Sequence, residues 1–125
     1  MVDVEKYKEK LQQLSDEELQ VLVYKKTQAP YVGKYTYEKS FGVYVCKLCE
    51  TPLYNSSDKF DSNCGWPSFD DAIEGAVEKV LDADGRRTEI LCSNCKAHLG
   101  HIFEGEGFTA KNTRHCVNSI ALNKK

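Results

Sequence analysis

The strongest constraint on this chain is the pairing of its cysteines. Four of the six form two Cys-x-x-Cys knuckles, Cys46/Cys49 and Cys92/Cys95, while Cys64 and Cys116 stand alone. One Cys-x-x-Cys turn puts two sulfurs on one side of an ion, and a second turn closes the tetrahedron of a four-thiolate zinc site. The knuckles repeat one another: each is preceded by an apolar residue (Val45, Leu91) and followed four residues later by a leucine (Leu53, Leu99). One zinc ion held by Cys46, Cys49, Cys92 and Cys95 is expected, and with no open position its role is structural. The competing reading is two independent redox dithiols. The stretch from Glu50 to Leu91 is longer than in a compact zinc finger, so the ion would pin two remote parts of a larger domain.

A chain of 125 residues is expected to form one domain, 1–125, with a real core. Its net charge of -2 supplies neither the basic stripe that nucleic acid calls for nor a polybasic membrane anchor. The amino terminus alternates charge (Asp3, Glu5, Lys6, Lys8, Glu9, Lys10) and has no apolar signal segment, and no run approaches the ~20 apolar residues of a membrane span. A cytoplasmic monomer is expected, in a compartment where thiols stay reduced.

Residues 1–30 read as a helical segment. Val4, Tyr7, Leu11 and Leu14 share one helical face, and Ser15 with Glu18 is a capping box opening a second helix with Leu19, Leu22 and Val23 as its stripe. Pro30 closes the segment. Residues 31–125 read as a β-rich core. Phe41 to Val45 suits a strand, Val77–Leu81 and Arg87–Leu91 a hairpin about Asp84-Gly85, and Leu99–Phe103 and Val117–Leu122 further strands.

The remaining chemistry-bearing residues gather around the two lone thiols. On a strand, Arg114, Cys116 and Asn118 share one face, setting a cation and an amide beside a thiol. That pattern fits a nucleophile, and equally a buried cysteine beside a paired arginine. His98 and His101 leave the second knuckle directly; they would neighbour each other on a helix but face opposite sides of a strand. Two imidazoles near a thiol are candidate proton donors. The lone Trp66 is either core packing or the apolar wall of a small pocket.

In Lys59-Phe60-Asp61-Ser62, Cys64-Gly65-Trp66-Pro67-Ser68-Phe69, His98-Leu99-Gly100-His101-Ile102-Phe103 and Arg114-His115-Cys116-Val117-Asn118-Ser119, in that order, the chain resembles the methionine-R-sulfoxide reductases. The knuckles match their zinc-containing branch. The resemblance implies a mainly β fold: two small antiparallel sheets forming a barrel-like core, with amino-terminal helices around it. It implies reduction of methionine-R-sulfoxide, free or in proteins, with Cys116 as nucleophile and Cys64 as resolving thiol in a Cys64–Cys116 disulfide that thioredoxin reopens. It further implies active-site roles for His101, His98, Arg114 and Asn118, and substrate contacts from Trp66, Phe103, His98 and Asn118. One departure stands out: many members carry an aspartate where this chain has Gly105, between Glu104 and Glu106. Two rivals, a zinc-ribbon binding module and a zinc-stabilised redox sensor, leave the histidines or the substrate pocket idle.

Overall fold

Serine, glutamate and leucine patterning sets the amino-terminal structure. In a computed structural model describing residues 2–82 and 85–125, α1 spans Lys8–Gln12 and α2 spans Asp16–Leu22. Ser15 caps α2 as expected: its hydroxyl accepts from the Glu18 N–H at 3.1 Å, and its own N–H donates to Glu18 Oε1 at 2.8 Å. Leu22 and Val23 are buried, and Tyr7, Leu11, Leu14 and Leu19 pack beside them; Val4 instead faces solvent. The helical region is shorter than 1–30. Lys25 takes a left-handed φ of 62°, which ends helical geometry well before Pro30, and the Lys26 N–H closes the turn on the Gln20 carbonyl.

The rest is β-structure in two antiparallel sheets. Strands β1 (Val43–Cys46), β2 (Pro52–Asn55) and β9 (Leu122–Lys124) form a three-stranded sheet in the order β2-β1-β9. Strands β3 (Lys59–Phe60), β4 (Ser68–Phe69), β5 (Val77–Leu81), β6 (Thr88–Cys92), β7 (His98–Glu104) and β8 (Thr113–Val117) form a larger sheet in the order β3-β4-β8-β7-β6-β5. The expected hairpin is β5–β6, with Val77 opposite Cys92; of its turn, Asp84 lies outside the described residues. Alternating residues join the sheets: Phe69 stacks on Tyr54 at 4.3 Å and meets Tyr44 edge-on, with Leu53, Ile90, Leu99, Val117 and Leu122 fully buried around them.

Two strand boundaries differ from expectation. Phe41 precedes β1 and is 94% exposed. Val117–Leu122 is not one strand: a 3₁₀ turn over Ser119–Ala121, closed by the Ala121 N–H on the Asn118 carbonyl, separates β8 from β9 and lets the chain change sheets.

Candidate active site

Each knuckle is set by its own backbone. The N–H of Glu50 bonds the Cys46 carbonyl and the N–H of Lys96 bonds the Cys92 carbonyl, both at 2.8 Å, and Glu50 and Lys96 share the left-handed φ (63° and 67°) that reverses the chain. The cysteine N–H groups are fixed alike, Cys46 on the Thr51 carbonyl and Cys92 on that of Ala97, both at 2.9 Å. The repeat in sequence is thus a repeat in geometry, with Leu53 and Leu99 anchoring both exits in the core. All four sulfurs lie within 4.8 Å of one another, with Cys46–Cys95 at 3.6 Å and Cys49–Cys92 at 3.5 Å. Tetrahedral Zn–S bonds of about 2.3 Å put neighbouring sulfurs about 3.8 Å apart, so the four donors fit one such ion.

The two lone thiols meet on the larger sheet. Cys116 lies on β8 opposite His101 of β7, and Arg114 lies opposite Phe103. Cys64 comes from the loop before β4, and its Sγ stands 3.9 Å from that of Cys116. A cleft of about 150 Å³ opens over them, lined by Trp66 and Phe103 as apolar walls and by His101, Arg114 and Asn118 as polar groups. Gly100 makes this packing possible, because a Cβ there would collide with the Cys116 carbonyl. The sulfurs of Cys116 and Cys64 are in hydrogen-bond contact, and that of Cys64 also contacts the Ser68 hydroxyl. The contact between the two sulfurs holds Cys64 down to about 4, and it combines with burial to push Cys116 far up. Arg114 pulls Cys116 the other way, as its place on the strand suggests, but by less. The sulfur contact thus favours negative charge on Cys64, while Arg114 favours it on Cys116.

His98 and His101 share a side of the sheet, contrary to simple alternation on a strand. Ile90 pairs with Gly100 but Leu91 pairs with His98, so Leu99 is an extra, bulged residue that resets the alternation. The rings meet edge to face at 5.6 Å. His101 lines the cleft, with Nε2 2.9 Å from Asp82 Oδ2. His98 is 2% exposed and does not line it.

A family model described as the SelR domain matches residues 14–125. The chain belongs to the SelR family. Over 110 residues, 87% of this chain, it is 54% identical to peptide methionine sulfoxide reductase B9 and 52% identical to peptide methionine sulfoxide reductase B2, chloroplastic, both of Arabidopsis thaliana. It is 50% identical to peptide methionine sulfoxide reductase B5 of Oryza sativa subsp. japonica. The matched region covers 77% of B9 and 81% of the rice protein, but only 54% of B2. Among solved structures, the Mis18 'Yippee-like' domain matches with a TM-score of 0.52 at 17% identity, covering 69% of this chain and 96% of that one; the likeness is one of fold.

Within this SelR fold several neighbours of the thiols had no sequence signal. The strap from Lys25 to Tyr31 crosses the site and grips it through its backbone. The Gln28 N–H donates to Asn118 Oδ1 at 2.9 Å, the Gln28 carbonyl accepts from the Trp66 indole at 2.8 Å, and the Tyr31 N–H donates to the Gly65 carbonyl at 2.7 Å. Asn118 also donates to the Leu99 carbonyl at 3.0 Å, so one amide N–H remains for anything entering the cleft. Thr27 and Arg87 line the cleft, and Arg87 shares Asp82 with His101. At the Gly105 departure, Glu106 takes up Arg114, with Oε1 2.8 Å from Nε and Oε2 3.2 Å from the guanidinium, while the guanidinium lies over the Phe103 ring. Gly105 has a φ of 85°, a turn geometry that favours glycine over any side chain.

Proposed function

We propose that this chain reduces methionine-R-sulfoxide, free or in proteins, to methionine, with residues 1–125 acting as one catalytic unit. The observation that carries the reading is the meeting of Cys64 and Cys116 under an apolar-walled cleft that also holds His101, in a chain of the SelR family. Relatives named peptide methionine sulfoxide reductase place it among oxidoreductases acting on sulfoxides.

Cys116 is the nucleophile. Moving one proton across the 3.9 Å sulfur contact gives a Cys116 thiolate and a Cys64 thiol, and Arg114 favours that form. The thiolate attacks the sulfoxide sulfur, and a proton from His101, held by Asp82, goes to the oxygen. Methionine leaves with its lone pair restored, and the oxygen stays on Cys116 as sulfenic acid. The Cys64 thiol then condenses with it, forming the Cys64–Cys116 disulfide and releasing water. An external dithiol protein, thioredoxin, takes up the oxidation as its own disulfide and returns both thiols. Trp66 and Phe103 supply walls for the substrate methyl, and Asn118 one N–H for a polar group, so a single arrangement of methyl and oxygen about the sulfur fits.

Cys46, Cys49, Cys92 and Cys95 would hold one zinc ion. Four thiolates leave it no open position, so it supplies rigidity and no chemistry to the reaction. Among the described residues no helix is long and apolar enough to cross a membrane.

The test is an assay with separated R and S sulfoxides and dithiothreitol as reductant. Turnover of the R epimer alone is expected. Equal turnover of both epimers, or none, would overturn the reading.

A further inference from the structure

Glu89 is an acidic side chain in the interior of β6, 2% exposed and flanked by the fully buried Ile90. Burying a carboxyl group is costly unless it is bonded, and an apolar residue would fill the same place without that cost. Both oxygens are used: Oε2 lies 2.6 Å from His98 Nδ1, and Oε1 lies 3.2 Å from Lys25 Nζ. His98 is itself 2% exposed, and among the described residues its buried Nε2 has no hydrogen-bond partner. Its ring meets the ring of His101, which lines the cleft. The groups facing His98 are thus Glu89 from β6, His101 from β7 and Lys25 from the strap.

We propose that Glu89 is a positioning residue for the sulfoxide-reducing site. It accepts the Nδ1 proton of His98, fixing one tautomer and one ring orientation behind His101, and Lys25 ties that arrangement to the strap. With Nδ1–H committed to Glu89, Nε2 of the neutral ring is left as an acceptor. Burial lowers the affinity of His98 for a second proton, against the pull of Glu89. His98 then acts by backing the neighbouring imidazole edge to face and holding its ring in place. This extends the reductase reading, since it assigns the second histidine of that same site.

Histidine-selective ¹⁵N NMR on the zinc-loaded protein tests the tautomer without any substrate. In the native chain His98 is expected as the Nδ1–H tautomer. In Glu89→Leu that signature is lost, and single-turnover reduction of methionine-R-sulfoxide falls at least tenfold with KM changed less than twofold. Glu89→Gln retains an acceptor oxygen, so it is expected to keep the Nδ1–H tautomer and recover most of the rate; it also serves if the leucine variant does not fold. An Nε2–H tautomer in the native chain would overturn the proposal, as would Glu89→Gln losing the tautomer or Glu89→Leu keeping both tautomer and rate. Absence of sulfoxide reduction by the native chain, with the expected tautomer in place, would count against the reductase reading alone.

Discussion

The four-cysteine cluster and the cleft hold thiols at nearly the same separation, and the proposed function gives them opposite uses. In the knuckle cluster, sulfurs stand 3.5 and 3.6 Å apart; in the cleft, Cys64 and Cys116 stand 3.9 Å apart. Distance does not separate a metal clamp from a redox couple. What separates them is number and access. The clamp gathers four sulfurs on two turns of matching backbone hydrogen bonds, and three of the four cysteines are buried. The cleft has two partly exposed sulfurs from different segments, opening to a cavity lined by an imidazole and a guanidinium.

The largest expected effect lies at the clamp. Structural zinc contributes about 10–16 kcal/mol in small zinc-binding peptides, comparable to the whole stability of a domain. Cys95→Ser, or stripping by a strong chelator, should abolish the cooperative thermal transition, whereas Cys116→Ser should leave it almost unmoved. A chelated protein that melts as before would show that the four cysteines do not carry the fold.

A smaller effect separates the two faces of β8. Cys116 faces the cleft, but its neighbour His115 is buried, with Nδ1 2.9 Å from the Tyr54 hydroxyl. Burial pulls His115 down to about 4. Its folded-state affinity for protons is below its unfolded one, so its contribution is full above about pH 6.5 and is lost as pH falls through 4. The shift corresponds to about 3 kcal/mol. Denaturation curves from pH 7 to 4 should therefore fall less steeply for His115→Gln than for the native chain. Parallel profiles would contradict a buried neutral imidazole.

Within the cleft, the charge favoured on Cys64 gives a kinetic signature. At pH 6 iodoacetamide should label Cys64 faster than Cys116, because the thiolate is the reacting form. The four clamp cysteines should stay unlabelled while metal is bound. Faster labelling of Cys116 would move the resting charge to the other sulfur.

The same contrast explains what could be read from the sequence. The clamp was legible because its geometry is local: Cys-x-x-Cys spacing and the Leu53/Leu99 repeat determine most of it. The cleft was legible only in part. Arg114 and Cys116 share a strand face by simple alternation, but the placing of His98 beside His101 depends on the bulge at Leu99, a mismatch of pairing that no single strand's pattern reveals. The strap was invisible for a different reason. Gln28 holds Trp66 and Asn118 through its main chain, so the bonds do not depend on residue type. Asp82 reaches His101 only because the β5–β6 hairpin folds back, and the left-handed Lys25 that launches the strap interrupts what reads as helix.

The division of labour between the two cleft thiols is tested most directly by single-turnover reduction of methionine-R-sulfoxide by Cys64→Ser and Cys116→Ser, with mass spectrometry of the protein. Removing Cys64 also removes the contact that most raises Cys116, so the nucleophile should remain competent. Cys64→Ser is expected to release about one methionine per chain and carry one added oxygen on Cys116, while Cys116→Ser releases none. Methionine release by Cys116→Ser, with the oxygen on Cys64, would reverse the two roles.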